Sequence, residues 1–206
     1  MILRARIILP VTAPPIEDGA VFIEGKQIRS VGRFQDLHPH TRNKAIDLGE
    51  VIVLPGLVNA HCHLDYTDMA GALPPPKTFT DWIAAILAAK SGWSYSDYAR
   101  SWVRGAQQLL NSGTTTVGDI EAMPDLLPEV WETTPLRVFS FLEMTGIKSK
   151  RAPKEILEEA MAKIDSLKHR RHRAALSPHA PYSTQSELLR LTARISRRRK
   201  IPASIH

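Results

Sequence analysis

Hydrophobic and polar positions change rhythm once along the chain, near residue 55. Before that point, short β-rich runs occupy Ile2–Leu9, Ala20–Glu24, Gln27–Val31 and Ala45–Leu48. Turn residues separate them, notably Asp18-Gly19 and Gly25-Lys26, where hairpin connections are expected. No long helical pattern interrupts them. Residues 1–54 therefore read as a small β-module of about 50 residues, within the usual size of a subdomain.

After residue 55, strands and helices alternate. The apolar run Val51–Leu54 stops at Pro55-Gly56 and is expected to be a buried strand leading towards His61. Ser94–Asn111 places Tyr95, Tyr98, Trp102, Ala106 and Leu109 at helical spacing, with Ser94 and Asp97 positioned as a capping box and Gly113 as the stop. Strands follow at Thr114–Ile120 and Arg137–Glu143. Pro153 then opens a helix with the apolar face Ile156, Leu157, Ala160, Met161, Ile164 and Leu167. Next come a strand at Ala174–Ser177, a helix over Thr184–Ser196 and a last strand from Ile201. Five strands, near 51–60, 114–120, 137–143, 174–178 and 201–206, with helices between them predict an α/β fold built on a parallel sheet.

Composition narrows the class. The chain has 206 residues and is 43% hydrophobic, enough for a real core and too apolar for a disordered segment. Cys62 is the one cysteine, so no disulfide framework exists and a reducing compartment, the cytoplasm, is the expected location. The opening residues carry two arginines within an apolar run and no cleavage site, so no signal peptide is expected there. No stretch approaches the roughly 18 apolar residues of a membrane span. A net charge of +6 raises the question of nucleic acid. The basic excess lies in Lys168–Arg173 and Arg197–Lys200, at the ends of predicted helices, with no interleaved aromatics to stack bases. No nucleic-acid surface and no membrane partner are expected.

The candidate chemistry begins at His61 and His63. At i and i+2 on a strand, both imidazoles share a face, which suits a metal pair but is weak evidence by itself. Its context is stronger. The string Pro55-Gly56-Leu57-Val58-Asn59-Ala60-His61-Cys62-His63-Leu64-Asp65 resembles the opening motif of the amidohydrolase superfamily. Gly113-Thr114-Thr115-Thr116-Val117 is similar to that family's second barrel strand. Ser177-Pro178-His179-Ala180-Pro181-Tyr182-Ser183 resembles the segment after the fourth strand in its cytosine, guanine, adenosyl and chlorotriazine hydrolase branch. Ile205-His206 resembles the start of the fifth-strand motif.

The resemblance implies an incomplete TIM-type (β/α)8 barrel of about five strands over 55–206, preceded by residues 1–54 as half of a composite β-sandwich. It implies that His61, His63 and His206 hold one divalent ion, zinc first, with iron, manganese or nickel as alternatives. It also implies hydrolytic deamination of a purine-like heterocycle by hydroxide generated on that ion. His179 would then contact substrate. Asp65 is either an acid touching the heterocycle or a helix-capping or solvated aspartate. Phe79 and Trp82, in a segment similar to one in adenosyl- and futalosine-type deaminases, are either core residues or, for Trp82, a substrate contact. Glu143 either faces the mouth or is solvated. Cys62 is expected to point away from His61 and His63 as a buried spectator, while His38, His40, His169 and His172 are expected at the surface.

The departures from the family pattern are specific. Its general acid/base Glu, a further His and a later Asp have no counterpart in these 206 residues, so no catalytic acid/base is assigned. The expectation is a fragment of an aminohydrolase. The alternatives are a split or pseudo-enzyme binding subunit, completed by another chain, and a chlorohydrolase or cyclic amidase; the partner expected is a homo-oligomer or that complementing chain.

Overall fold

Strand Ile2–Ile8 (β1) turns Ile2, Ala5 and Ile8 inwards and pairs antiparallel with Ile16–Glu24 (β2), which pairs in turn with Gln27–Arg33 (β3). The computed structural model describes residues 1–37, 44–147 and 149–206, so His38 and His40 lie outside the described residues. Two short strands, Ala45–Asp47 (β4) and Ile52–Val53 (β5), run parallel to β1 and complete this sheet. Its small core gathers Ala5, Ile8 and Val21. Gly25, with φ 58°, makes the expected turn between β2 and β3. Asp18-Gly19 is not a turn but lies inside β2. Gly19 is needed there for packing, since a Cβ would sit 2.4 Å from Ile8 Cγ1.

The described residues divide into Met1–Gly56 and Leu57–His206. The strand expected over 51–60 is in fact two. Ile52–Val53 belongs to the first sheet, and the break at Pro55-Gly56 releases a separate strand, Leu57–Cys62 (β6). Neither is buried. Val58 is 69% exposed, because β6 is an edge strand with a neighbour on one side only among the described residues.

In the second unit, β6 is followed by Thr114–Glu121 (β7), Arg137–Met144 (β8) and Arg173–Pro178 (β9), all parallel and adjacent in chain order. Helices Phe79–Ser91 (α1), Tyr95–Asn111 (α2), Leu127–Val130 (α3), Pro153–Ser166 (α4) and Ser186–Arg199 (α5) connect them. This is a mixed α/β fold. The fifth strand expected over 201–206 is reduced to one parallel bridge, Leu176 to Ala203, flanked by Leu176 N–H to Pro202 O at 3.2 Å and Ser204 N–H to Leu176 O at 2.9 Å.

Local sequence explains the helices. Ser94 accepts from Asp97 N–H and the Asp97 carboxylate accepts from Ser94 N–H, closing the capping box that starts α2. Its stripe of Tyr98, Ala99, Trp102 and Ala106 packs on Leu64, Val117, Trp131, Leu136 and Val138. Each fully buried large side chain there contributes about 1.5–3 kcal/mol. Ile156, Leu157, Ala160 and Met161 of α4 pack with Met144, Leu176 and Leu188 in a second cluster. Helix α1 has no such stripe and no buried residue, and periodicity did not predict it; Thr78 and Asp81 cap it instead. No described helix is long and apolar enough to cross a membrane.

One expectation about the surface is overturned. His172 is fully buried, stacked on His169 with ring centroids 4.2 Å apart and lying 5.3 Å from Trp131. Its Nδ1 accepts from Val138 N–H at 3.3 Å, and burial lowers its pKa to about 4. A basic run looks solvated in sequence, but the turn into β9 folds this ring inwards.

Candidate metal centre

The parallel register brings the C-terminal ends of β6 to β9 to one edge of the sheet, where chemistry collects in such folds. His61 lies in β6 and His63 directly after it, so strand alternation puts both rings on one face. The bridge beside β9 carries the chain back to this edge, where His206 N–H donates to His179 O at 2.8 Å. One side-chain nitrogen from each of His61, His63 and His206 falls within 4.8 Å of the others. His63 Nε2 and His206 Nε2 are 3.1 Å apart. Ligands around one tetrahedral zinc, each about 2.0–2.1 Å from the ion, would be separated by about 3.3 Å.

The protonation states suit ligation. His206 Nδ1 lies 2.9 Å from His179 O, and a carbonyl only accepts, so Nδ1 carries the hydrogen and Nε2 presents its lone pair. Burial, then the neighbouring His206, His61, His179 and Lys90, lowers the pKa of His63 to about 4. Burial and then His206 lower that of His61. Neutral imidazoles are the form that binds metal. His63 Nδ1 is buried with no partner.

His179 follows β9, and its loop is tied to the end of β8 by His179 N–H to Met144 O at 3.0 Å and Gly146 N–H to Ser183 O at 3.0 Å. The Ser183 hydroxyl donates to Ala180 O at 3.2 Å, so His179 Nδ1–H donates to Ser183 Oγ at 2.6 Å. His179 Nε2 is left as an acceptor, and the ring lies 4.7 Å from that of His206. Burial chiefly lowers its pKa, against the raising effect of Glu143.

Behind the histidines lies a set of residues that sequence reasoning missed. Tyr66 stacks on His63 with centroids 5.0 Å apart and planes 11° from parallel, and Lys90 Nζ donates to its hydroxyl. Asp119 and Glu121, at i and i+2 on β7, are fully buried. Asp119 accepts from Leu64 N–H at 3.0 Å, Trp102 Nε1–H at 3.1 Å and Ser140 Oγ–H at 3.3 Å, while desolvation still raises its pKa to about 6. Glu121 accepts from Met123 N–H at 2.6 Å, and desolvation, then Asp119, push its carboxyl well up. The signal for this pair was present in the sequence: two acids at strand spacing inside an otherwise apolar run.

Asp65 is neither a cap nor solvated. It is fully buried, both oxygens lack partners, and desolvation, followed by Asp119, pushes its pKa well above the ordinary carboxylate range. It offers no exposed surface to a substrate. Glu143 is half-buried at the end of β8. Cys62 packs into the main core, and burial raises its thiol to about 11. Phe79 and Trp82 are not core residues; on α1 they are 56% and 39% exposed, with rings 5.8 Å apart.

Comparison with known proteins follows the same lines. The model of the amidohydrolase family matches residues 52–206. Over 192 residues the chain is 27% identical to 5-methylthioadenosine/S-adenosylhomocysteine deaminase of Carboxydothermus hydrogenoformans, covering 90% of this chain and 43% of that protein. Helicobacter pylori aminofutalosine deaminase, solved with methylthio-coformycin, superposes with a TM-score of 0.79 at 23% identity, covering 100% of this chain and 50% of that one. Atrazine chlorohydrolase from Arthrobacter aurescens, solved with zinc, gives 0.82 at 20% identity, covering 100% and 52%. The chain thus spans about half the length of these relatives. A motif, a fold and a family match covering most of its length agree: the chain belongs to the amidohydrolase family.

Proposed function

We propose that this chain supplies the metal-binding part of a hydrolase that deaminates a purine-like heterocycle, with His61, His63 and His206 holding one divalent ion, zinc first. The observation that carries the reading is the convergence of three imidazoles, with His206 Nδ1–H tied to His179 O so that its Nε2 faces the other two rings. When bound, such an ion supplies Lewis acidity and lowers the pKa of water towards neutrality. The chain's own residues do the rest. His179 Nε2 accepts a hydrogen bond from the substrate, Tyr66 fixes the plane of His63, and Trp82 flanks the entrance. Asp65, Asp119 and Glu121 form a buried support beneath them.

The deamination reading also draws on the relatives, two of which are named as deaminases of adenosine-like compounds and one of which is solved with zinc. We further propose that β6–β9 form one arc of a (β/α)8 barrel, with Ala203 marking the position of the next strand, and that the first sheet is part of a β-sandwich.

The test uses the full-length protein that carries this sequence. Zinc-loaded protein should release ammonia from purine nucleosides, while His61→Ala/His63→Ala should drop metal content from about one per chain to background. Turnover should fall with it by at least about 100-fold, the upper range for losing a ligand's supporting residue alone. Retained zinc or unchanged ammonia release in the double variant overturns the assignment.

A further inference from the structure

A row of exposed aromatic rings leads away from the three histidines. His179, 4.7 Å from His206, meets the Tyr182 ring edge-on at 5.7 Å. Tyr182 meets Phe79 edge-on at 5.6 Å, and Phe79 meets Trp82 at 5.8 Å. Two distant segments build this row, the loop after β9 and the first turns of α1. Phe79 is 56% exposed and Tyr182 is 53% exposed, so both rings leave a large apolar surface open. Helix α1 buries no residue, so packing of the helix does not account for Phe79 or Trp82. Tyr182, Phe79 and Trp82 are themselves uncharged, and the cation–aromatic contacts among the described residues lie elsewhere, at Arg4 on Phe34 and Lys90 on Tyr66.

We propose that Tyr182 and Phe79 form a specificity-determining wall that holds an uncharged apolar substituent of the substrate, such as a thioether, on the side of the nucleoside away from the reacting ring. The inference rests on the purine-nucleoside reading above. With the amino-bearing ring at the histidines, the remainder of the molecule must leave past His179, and Tyr182 is the ring in edge contact with His179. Two aromatic faces favour a soft apolar group over a hydrated hydroxyl or a zwitterionic tail, because only the first loses nothing on leaving water.

The zinc-loaded full-length protein is assayed with methylthioadenosine, adenosine and S-adenosylhomocysteine, by turnover and by calorimetric binding. The wild type should favour methylthioadenosine. Phe79→Ala/Tyr182→Ala should lower its kcat/KM for that substrate about tenfold, the scale of two aromatic contacts, while leaving adenosine within about threefold. Tyr182→Phe, which keeps the ring, should retain the preference. Both truncated side chains are more than half exposed, so the melting temperature and zinc content should hold and separate a lost wall from a lost fold. A preference that survives the double variant, a parallel loss on all three substrates, or a wild type with no preference overturns the wall while leaving deamination intact. A wild type that neither binds nor deaminates any of the three overturns the parent reading, and the wall with it.

Discussion

Strands β6 and β7 lie side by side and each ends in a chemically loaded pair at i and i+2, yet the two pairs live in opposite surroundings. At the end of β6, His61 is exposed and His63, the residue after the strand, is half-buried at the sheet edge, where a ligand can reach them. On β7, Asp119 and Glu121 are sealed between neighbouring strands and α2. The first pair lies with His206 in a cluster whose side-chain nitrogens fall within 4.8 Å of one another. The second braces the fold: Asp119 accepts from Trp102, Ser140 and Leu64, the last being the residue next to His63, and Glu121 accepts from Met123. Identical spacing thus yields a binding pair or a brace, according to what covers the strand.

The sharpest way to break this contrast is Asp119→Ala. It leaves three buried donors without an acceptor and should cost about 3–5 kcal/mol in denaturant unfolding. A cost below about 1 kcal/mol would show that Asp119 is not the brace described here. Next in size is Gly118→Ala, in β7 against β6. A Cβ there would lie 2.5 Å from Ala60 O, a backbone atom that cannot swing away, so β6 must shift. A loss of about 1–3 kcal/mol is expected, together with weaker zinc affinity, because His61 is the next residue along. Unchanged metal affinity would mean that the register of β6 does not position the ligands.

The effect that is smallest at any single pH step is on the pH profile, where it accrues gradually. His172, at about 4 against an ordinary 6.5, contributes stability that is present above about 6.5 and gone below about 4. Asp119, at about 6 against 3.8, acts oppositely: its contribution is present below about 3.8 and is lost as pH rises through 6. His172→Phe should therefore remove one rising component, making stability climb less between pH 4 and 6.5 by up to about 1.4 kcal/mol per pH unit. Chemical denaturation at several pH values reads this slope, and an unchanged slope would show that His172 is not held neutral by the fold.

Much of this was legible beforehand, and for local reasons. Helix α2 announced itself by its stripe and its Ser94–Asp97 cap, and α4 by Pro153 and its apolar face. The string from Pro55 to Asp65 pointed to the family, and the family model matches the chain from residue 52 onward. Other features escaped because burial belongs to neighbours and not to a residue. The Val51–Leu54 run is apolar, but its strand joins the first sheet and stays exposed. His172 sits in a basic run and is buried. Helix α1 lacks a stripe because its apolar residues lie all round it and none is fully buried, so only its cap could have revealed it.

The sequence by itself determined the alternation of strands and helices, the caps and turns such as Gly25, and the residue types able to hold a divalent ion. These depend on interactions within a few residues, which propensity and spacing encode. Tertiary structure alone decided that His206 approaches His61 and His63 across more than 140 positions, that Asp65 is sealed in beside Asp119 and Glu121, and that Phe79 meets Tyr182. Those distances are set by parallel register and helix packing, which sum many weak contacts over the whole unit and leave no local mark on the chain.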